Sequence, residues 1–301
     1  MTRSRRAARK RIRFQFRKAR KKQGGWFRHS FIRSLGGIVA VGALCITTLS
    51  GIIILSHYDL RASHYDMEAV GHIPVETGVL DTNGVLIGYL HGENEGKPVP
   101  LESISPHFIK ALLAREDSRF YHHDGIDKFG VLRAWIRNTR EKRTVQGAST
   151  ITMQLSRMTY GLTGQTMERK LLEMAIARRI EKRYSKEEIL SHYVNRVFLG
   201  TGMNGIEQAA QGYFAKSAAE LTVPEAAMIA GVIRAPNGFS PFRHYEIALR
   251  EMRSTLRRME NEGVISKKEA EKYLKARPLV QRQDRWMKML RQHSKVSVQK
   301  Y

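Results

Sequence analysis

From Ser34 to Ser56 the chain runs 23 residues, SLGGIVAVGALCITTLSGIIILS, without one charged side chain, between Arg33 on one side and Asp59 and Arg61 on the other. As a helix, that length spans a bilayer core of about 30 Å. A cleaved leader would carry a shorter apolar region and a small-x-small site just beyond it, whereas here Ser56 is followed by His57 and Tyr58. The stretch therefore reads as an uncleaved anchor. Residues 1–33 hold fourteen Lys or Arg and no Asp or Glu, more than half of the formal charge of +24. Those charges belong on the cytoplasmic side, which places the chain from about residue 58 onward on the far side of the membrane. Lys and Arg interleaved with Phe14 and Phe16 also fit phosphate neutralisation by a nucleic-acid binder. Next to a span, a polybasic stretch is more simply an orientation signal resting on anionic headgroups, so no nucleic-acid partner is expected. The single cysteine, Cys45, lies inside the apolar run, so the chain has no internal disulfide and no thiolate cluster for zinc.

Beyond the tail (1–33) and the span (34–56), a linker is expected over 57–73, one domain over 74–265, and a C-terminal helix with a basic tail over 266–301. A domain of that length is near the upper size of a single core. Its first part, GVLDTNGVLIGYL, has Asn83 and Gly84 between two strand-like runs, the pattern of a hairpin. After Pro106 helical periodicity takes over, with Ser105 as an N-cap and capping boxes at Ser185 with Glu188, Thr222 with Glu225, and Ser266 with Glu269. An amphipathic run from Tyr245 to Glu262 ends at Gly263. The segment KFGVLRAWIRN carries Phe129, Leu132, Trp135 and Ile136, which either enter lipid or pack in the core, and the core is the favoured reading.

Four segments carry candidate chemistry. Glu116 and Asp117 end an apolar helix and open a loop, SRFYHHDGID, a place where catalytic groups are common and where acids oppose the helix dipole. In GASTITMQLSR, Ser149 and Thr150 precede a run ending in Gln154 and Arg157, which alone reads as an N-cap and an ordinary helix. In RKLLE, Arg169 and Lys170 share a helix face with Glu173, alone a surface ion-pair ladder as readily as a site. In KEEILSHYVN, Ile189, Leu190, Tyr193 and Val194 form a packing stripe, after which Asn195 either caps the helix or reaches into a site.

Taken in order, the four resemble the motifs of the family 51 glycosyltransferases, the peptidoglycan polymerases found as monofunctional enzymes and as the first catalytic domain of class A penicillin-binding proteins. EDSRFYHHDGID matches the first motif at Glu116, Asp117, Phe120, His123, Gly125 and Asp127, and the downstream run GIEQAAQGYFAKSAAELTVPEAAMIAGVIRAPNGFSPF matches as well. Met153, Ser191 and Ala215 depart from the usual Gln, Glu and Gly, and the two arginines of a fifth motif fall on Glu251 and Met252. The resemblance implies a mainly helical, lysozyme-like fold of two lobes with a small β element. It also implies joining of lipid II units into β-1,4-linked glycan with inversion and release of polyprenyl pyrophosphate. By the same resemblance Glu116 and Glu173 are catalytic, and Asp117, His123, Ser149, Thr150, Gln154, Arg157, Arg169, Lys170 and Asn195 bind substrate. A divalent cation, Mg2+ or Mn2+, is allowed for, with Glu173 as its ligand, and no organic cofactor. Expected partners are lipid II, the nascent strand, the bacterial membrane, and penicillin-binding transpeptidases with divisome or elongasome proteins. The expected location is the inner membrane, single-pass, with a periplasmic catalytic domain. The residues from Ser266 onward are too few for a transpeptidase domain, so a monofunctional enzyme is expected, and the SVQK quartet at Ser297 to Lys300 reads as coincidence. A wall-assembly scaffold without activity is the alternative, and a wall-cleaving glycosidase, which would not need cations around Glu173, is a more distant one.

Overall fold

The structure, a computed structural model, describes residues 41–72, 77–80, 86–90, 98–141, 149–286 and 288. It divides into two compact units, 1–57 and 58–301. Helix α1, Val41–Ser63, is long and apolar enough to cross a membrane. Val41, Leu44, Ile46, Leu49, Ile52 and Ile53 are exposed along it, and apolar side chains turned outward on all sides suit a helix surrounded by lipid.

In the second unit, β1 (Thr77–Leu80) pairs antiparallel with β2 (Leu86–Leu90). Thr77 stands opposite Leu90, Gly78 opposite Tyr89 and Val79 opposite Gly88, with an irregularity before Leu80 meets Leu86. This is the expected hairpin; its Asn83–Gly84 turn lies outside the described residues. Then come α2 (Pro106–Glu116), α3 (Lys128–Glu141), α4 (Ile151–Thr159), α5 (Met167–Arg183), α6 (Lys186–Val194), α7 (Ile206–Phe214), α8 (Val223–Val232), α9 (Tyr245–Asn261) and α10 (Lys267–Tyr273). The domain is thus mainly helical with a small β element, as expected.

The caps explain most of the boundaries. Ser185, Thr222 and Ser266 each form the expected capping box, and Ser217 with Glu220 forms one more. Each box satisfies donors that a helix start leaves orphaned. Ser105 stands at the N-cap of α2, but its hydroxyl makes no cap bond and donates instead to the Leu221 carbonyl at 2.8 Å. Pro106 starts that helix, since its fixed φ suits the first turn and its missing N–H would be orphaned there anyway. The helix at α7 starts from Gly205, at φ +81, where a Cβ would stand 2.7 Å from the Asn195 carbonyl oxygen. Only glycine meets both conditions.

Packing sorts the helices into two groups. In one, α8 packs against α2 and α9, and every residue of α8 except Pro224 is buried. In the other, α4 packs against α5 and α6. The groups meet where α2 ends and α4 begins. The expected linker is partly helical, because nothing between His57 and Ser63 breaks α1. The end of that helix is tied to α5: Arg178 pairs with Asp59, Glu168 pairs with Arg61, and Arg179 donates to the Ala62 and Tyr65 carbonyls. The core reading of the segment after Asp127 is corrected for two residues. Phe129 is 67% exposed and Leu132 54% exposed, Phe129 lying under the Arg119 guanidinium at 4.9 Å, while Phe120 fills the core at this end. The side chains of Trp135 and Ile136 lie outside those described.

Candidate active site

The junction of the two helix groups is built around the carboxylates that end α2. Asp117 leaves the helix with an extended φ of −158°, and its own N–H still bonds the Leu113 carbonyl. Its side chain is buried and accepts from the Ile151 N–H at 3.0 Å, the first turn of α4, where orphaned donors favour an anion. Both its oxygens lie 3.0 Å from His123 Nε2. Asp117 and His123 therefore form a buried clamp that joins α2, α4 and the loop between them. Thr150 completes it, accepting from the Met153 N–H at 3.2 Å and donating to the Gly125 carbonyl at 2.6 Å. Gly125 sits at φ +86, and a Cβ there would meet the Ala177 backbone at 3.0 Å, so the loop reaches α5 only with glycine. Two residues that sequence reasoning passed over fasten the loop from outside. Glu181 accepts from Thr152 and from Lys186, and Lys186 also donates to the His123 carbonyl and sits 4.4 Å from the Phe120 ring centre.

With Asp117 turned inward, Glu116 faces the cleft. It is half-buried and lines two adjoining cavities of about 290 and 210 Å³. The larger is lined by Asp117, Asp127, Arg133, Ser149, Thr150 and Arg258 among others, and the smaller by Ser149, Gln154, Arg157, Arg234 and Arg258. Gln154 Nε2 donates to Glu116 Oε2 at 3.0 Å, and Gln154 Oε1 accepts from the Tyr193 hydroxyl at 3.0 Å. Burial, with Glu116 nearby, holds the Tyr193 phenol well above its ordinary range, so it stays a neutral donor.

Glu173 lies behind the cleft. Its relative exposure is 0%, which excludes the surface ladder reading for this residue. Lys170 Nζ stands 3.1 Å from Oε2 and Arg169 Nη1 stands 3.2 Å from Oε1, while Oε1 accepts no hydrogen bond. Lys170 also donates to Ser149, which lines both cavities, so the order from inside outward is Glu173, Lys170, Ser149, cleft. Burial holds the Lys170 ammonium below its usual range, and Glu173 offsets part of that. At Glu173, the orphaned Oε1 is the feature that would suit a divalent cation. Such an ion wants six or more oxygen ligands, or water and phosphate in their place. Two cations already stand within 3.2 Å, and the described residues hold no group of three or more His, Cys, Asp or Glu. A metal ion at Glu173 does not fit this arrangement.

Of the residues singled out in the sequence, Glu116, Asp117, Ser149, Thr150, Gln154 and Arg157 line the cavities. Arg169, Lys170 and Glu173 form the layer behind. Asn195 is elsewhere: its amide donates to the Ser191 and Val99 carbonyls at 2.9 and 3.0 Å, and its oxygen accepts from the Val99 N–H at 2.9 Å. It caps α6 and holds the segment before α2. Arg258 and Arg234 come to the cleft from α9 and from just beyond α8, and no local spacing announced them. Glu251, at the altered fifth motif, pairs at 2.5 Å with buried Arg115, which also donates to Ser254 at 2.9 Å, and Met252 is buried.

The family model described as Transglycosylase matches residues 83–260. Penicillin-binding protein 1A of Aquifex aeolicus is 40% identical over 198 residues, 66% of this chain and 27% of the relative. Penicillin-binding protein 1A of Escherichia coli is 40% identical over 197 residues, 65% of this chain and 23% of its own. Penicillin-binding protein 2D of Bacillus subtilis is 36% identical over 241 residues, 80% of this chain and 34% of its own. The chain thus spans between 23% and 34% of the length of these relatives. A crystal structure of penicillin-binding protein 1A from Haemophilus influenzae matches 73% of this chain and 24% of its own at 27% identity and a TM-score of 0.39.

Proposed function

This chain belongs to the transglycosylase family, and we propose that it polymerises lipid II into β-1,4-linked glycan at a bacterial membrane, releasing polyprenyl pyrophosphate. The observation that carries the reading is Glu116 lining the smaller cavity, whose other charged lining residues are Arg115, Arg157, Arg234 and Arg258. In this reaction the 4-hydroxyl of one sugar displaces pyrophosphate from the anomeric carbon of another. A sugar hydroxyl attacks only as its proton leaves, and Glu116 is placed to take it. Negative charge grows on the departing pyrophosphate, and preorganised cations stabilise it without reorganising. Arg157, Arg234 and Arg258 line the cavity that Glu116 shares, and Lys170 reaches its edge through Ser149. In this reading Glu173 acts through Lys170, keeping a partly buried ammonium charged, and no step is routed through a metal ion.

The same features separate the alternatives. A wall-cleaving glycosidase pairs two carboxylates across the bond it cuts, whereas Glu173 is buried behind Lys170. The altered fifth motif is the sequence feature that favours a scaffold, and Glu251 there pairs with Arg115, the residue before Glu116. The anchor suits a substrate that hangs from a polyprenyl tail, and we place the domain on the outer face of the inner membrane from the charge of the tail. The test is incubation of the detergent-solubilised chain with labelled lipid-linked disaccharide pentapeptide. Glycan polymer is expected from the wild type, reduced at least ~100-fold in Glu116→Gln. No polymer from the wild type across detergents and divalent ions, with substrate still bound, would overturn the reading in favour of a scaffold.

A further inference from the structure

We infer that Tyr193 is a positioning residue for the base: through Gln154 it fixes which face of an amide Glu116 meets. The chain of contacts is short and fully buried at its inner end. Tyr193 has no exposed surface, and its hydroxyl donates to Gln154 Oε1 at 3.0 Å. Gln154 Nε2 then donates to Glu116 Oε2, also at 3.0 Å. A glutamine amide has a donor end and an acceptor end of nearly equal shape, and only its partners decide which way it lies. Turned over, Gln154 would set its carbonyl against the Glu116 carboxylate and leave the Tyr193 O–H with no acceptor. Both faults vanish in the observed orientation. The alternative becomes comfortable only when Glu116 carries a proton to donate. Tyr193 therefore keeps the donor end of the amide on Glu116, and because the bond engages Oε2, a proton taken from substrate goes to Oε1. Tyr193 keeps its own proton throughout, as its raised pKa requires.

This inference rests on Glu116 being the base, but its test does not need turnover. The groups that share the Glu116 cavities are Arg115 and Asp117 beside it, Arg157 on α4, Arg234 after α8, Arg258 and Glu262 on and after α9, and Asp127 and Arg133 by α3. Tyr193→Phe leaves all of them in place and removes one hydroxyl. With 13C-labelled glutamate side chains, the Glu116 carboxyl signal is assigned by its loss in Glu116→Gln and titrated in the wild type and in Tyr193→Phe. The midpoint is expected to move to higher pH in Tyr193→Phe, because the amide is then free to offer its carbonyl to a protonated acid. Gln154→Leu removes the amide altogether, and adding Tyr193→Phe to it is expected to shift nothing further, since Tyr193 acts only through Gln154. If the protein polymerises lipid II, kcat of Tyr193→Phe falls about tenfold with KM unchanged, and the acid limb of its pH profile moves with the titration. An unmoved midpoint in a folded Tyr193→Phe, or a further shift on the Gln154→Leu background, would overturn the role. A moved midpoint in a chain without polymerase activity would keep the role and reject only the reaction.

Discussion

At the scale of single residues, the site is a set of carboxylates given different neighbours. Asp117 is held by an N–H and an imidazole, Glu116 by one amide, and Glu173 by two cations. The burial of Glu173 makes its partners unequal in a way that stability can read. Removing Lys170 leaves a carboxylate with 0% exposure facing Arg169 alone, at an oxygen that accepts no hydrogen bond. Removing the charge of Glu173 leaves Arg169 and Lys170, whose side chains are 19% and 27% exposed and can turn to water. Breaking a buried pair from the side that strands the charge costs about 3–5 kcal/mol. Lys170→Met is therefore expected to lower the thermal midpoint clearly more than Glu173→Gln, and the double variant to recover much of the Lys170→Met loss. Equal losses in the two single variants, followed by near circular dichroism in detergent, would mean that water reaches Glu173 and the layering argued for it is wrong.

Among the elements, those with short-range signals were legible and those assembled over distance were not. The capping boxes at Ser185, Thr222 and Ser266 are spacings of three residues, and each stands where the pattern placed it. Glu116 at a helix end and Lys170 one turn from Glu173 are local as well. The clasp of Glu181 and Lys186 on the first loop, the arrival of Arg258 and the pairing of Arg115 with Glu251 all depend on how helices stack, which no spacing encodes. Tyr193 was visible only as one member of a packing stripe, because its hydroxyl partner lies 39 positions away. Ala215 is a case where sequence showed the departure and structure its cost. It caps α7 at φ +53 and ψ +40, in the left-handed region, and it is exposed. A Cβ there costs about 1–2 kcal/mol, and an exposed methyl offsets little of it. Ala215→Gly is expected to raise the unfolding free energy by about 1 kcal/mol, less what the freer unfolded chain takes back. An unchanged or lower midpoint in urea would show that the cap is already relaxed.

At the scale of the whole molecule, the proposed use of lipid-tailed substrates asks where the domain meets the bilayer besides its anchor. Most apolar side chains in the domain are buried, so exceptions stand out. At the start of α3, Phe129, Val131 and Leu132 are exposed together, with Lys128 and Arg133 on either side of them and the Arg119 guanidinium over the Phe129 ring. An apolar strip flanked by cations is the composition that lies in a headgroup layer, with the rings among acyl chains and the charges on anionic phosphates. Burying such side chains gains roughly 25 cal/mol per Å² of apolar surface, enough for a few residues to hold a face against a membrane that the anchor already keeps close. In a Cys45→Ser background, a polarity-sensitive fluorophore at Phe129→Cys is expected to shift to the blue when the full chain is placed in anionic vesicles. The same fluorophore at Glu271→Cys on α10, an exposed polar position, is expected to keep its aqueous spectrum. Raising the salt should weaken the shift at residue 129 only in part, since screening removes the headgroup attraction and leaves the apolar contribution. An aqueous spectrum at both positions would leave the exposed strip without a lipid partner and confine membrane contact to α1.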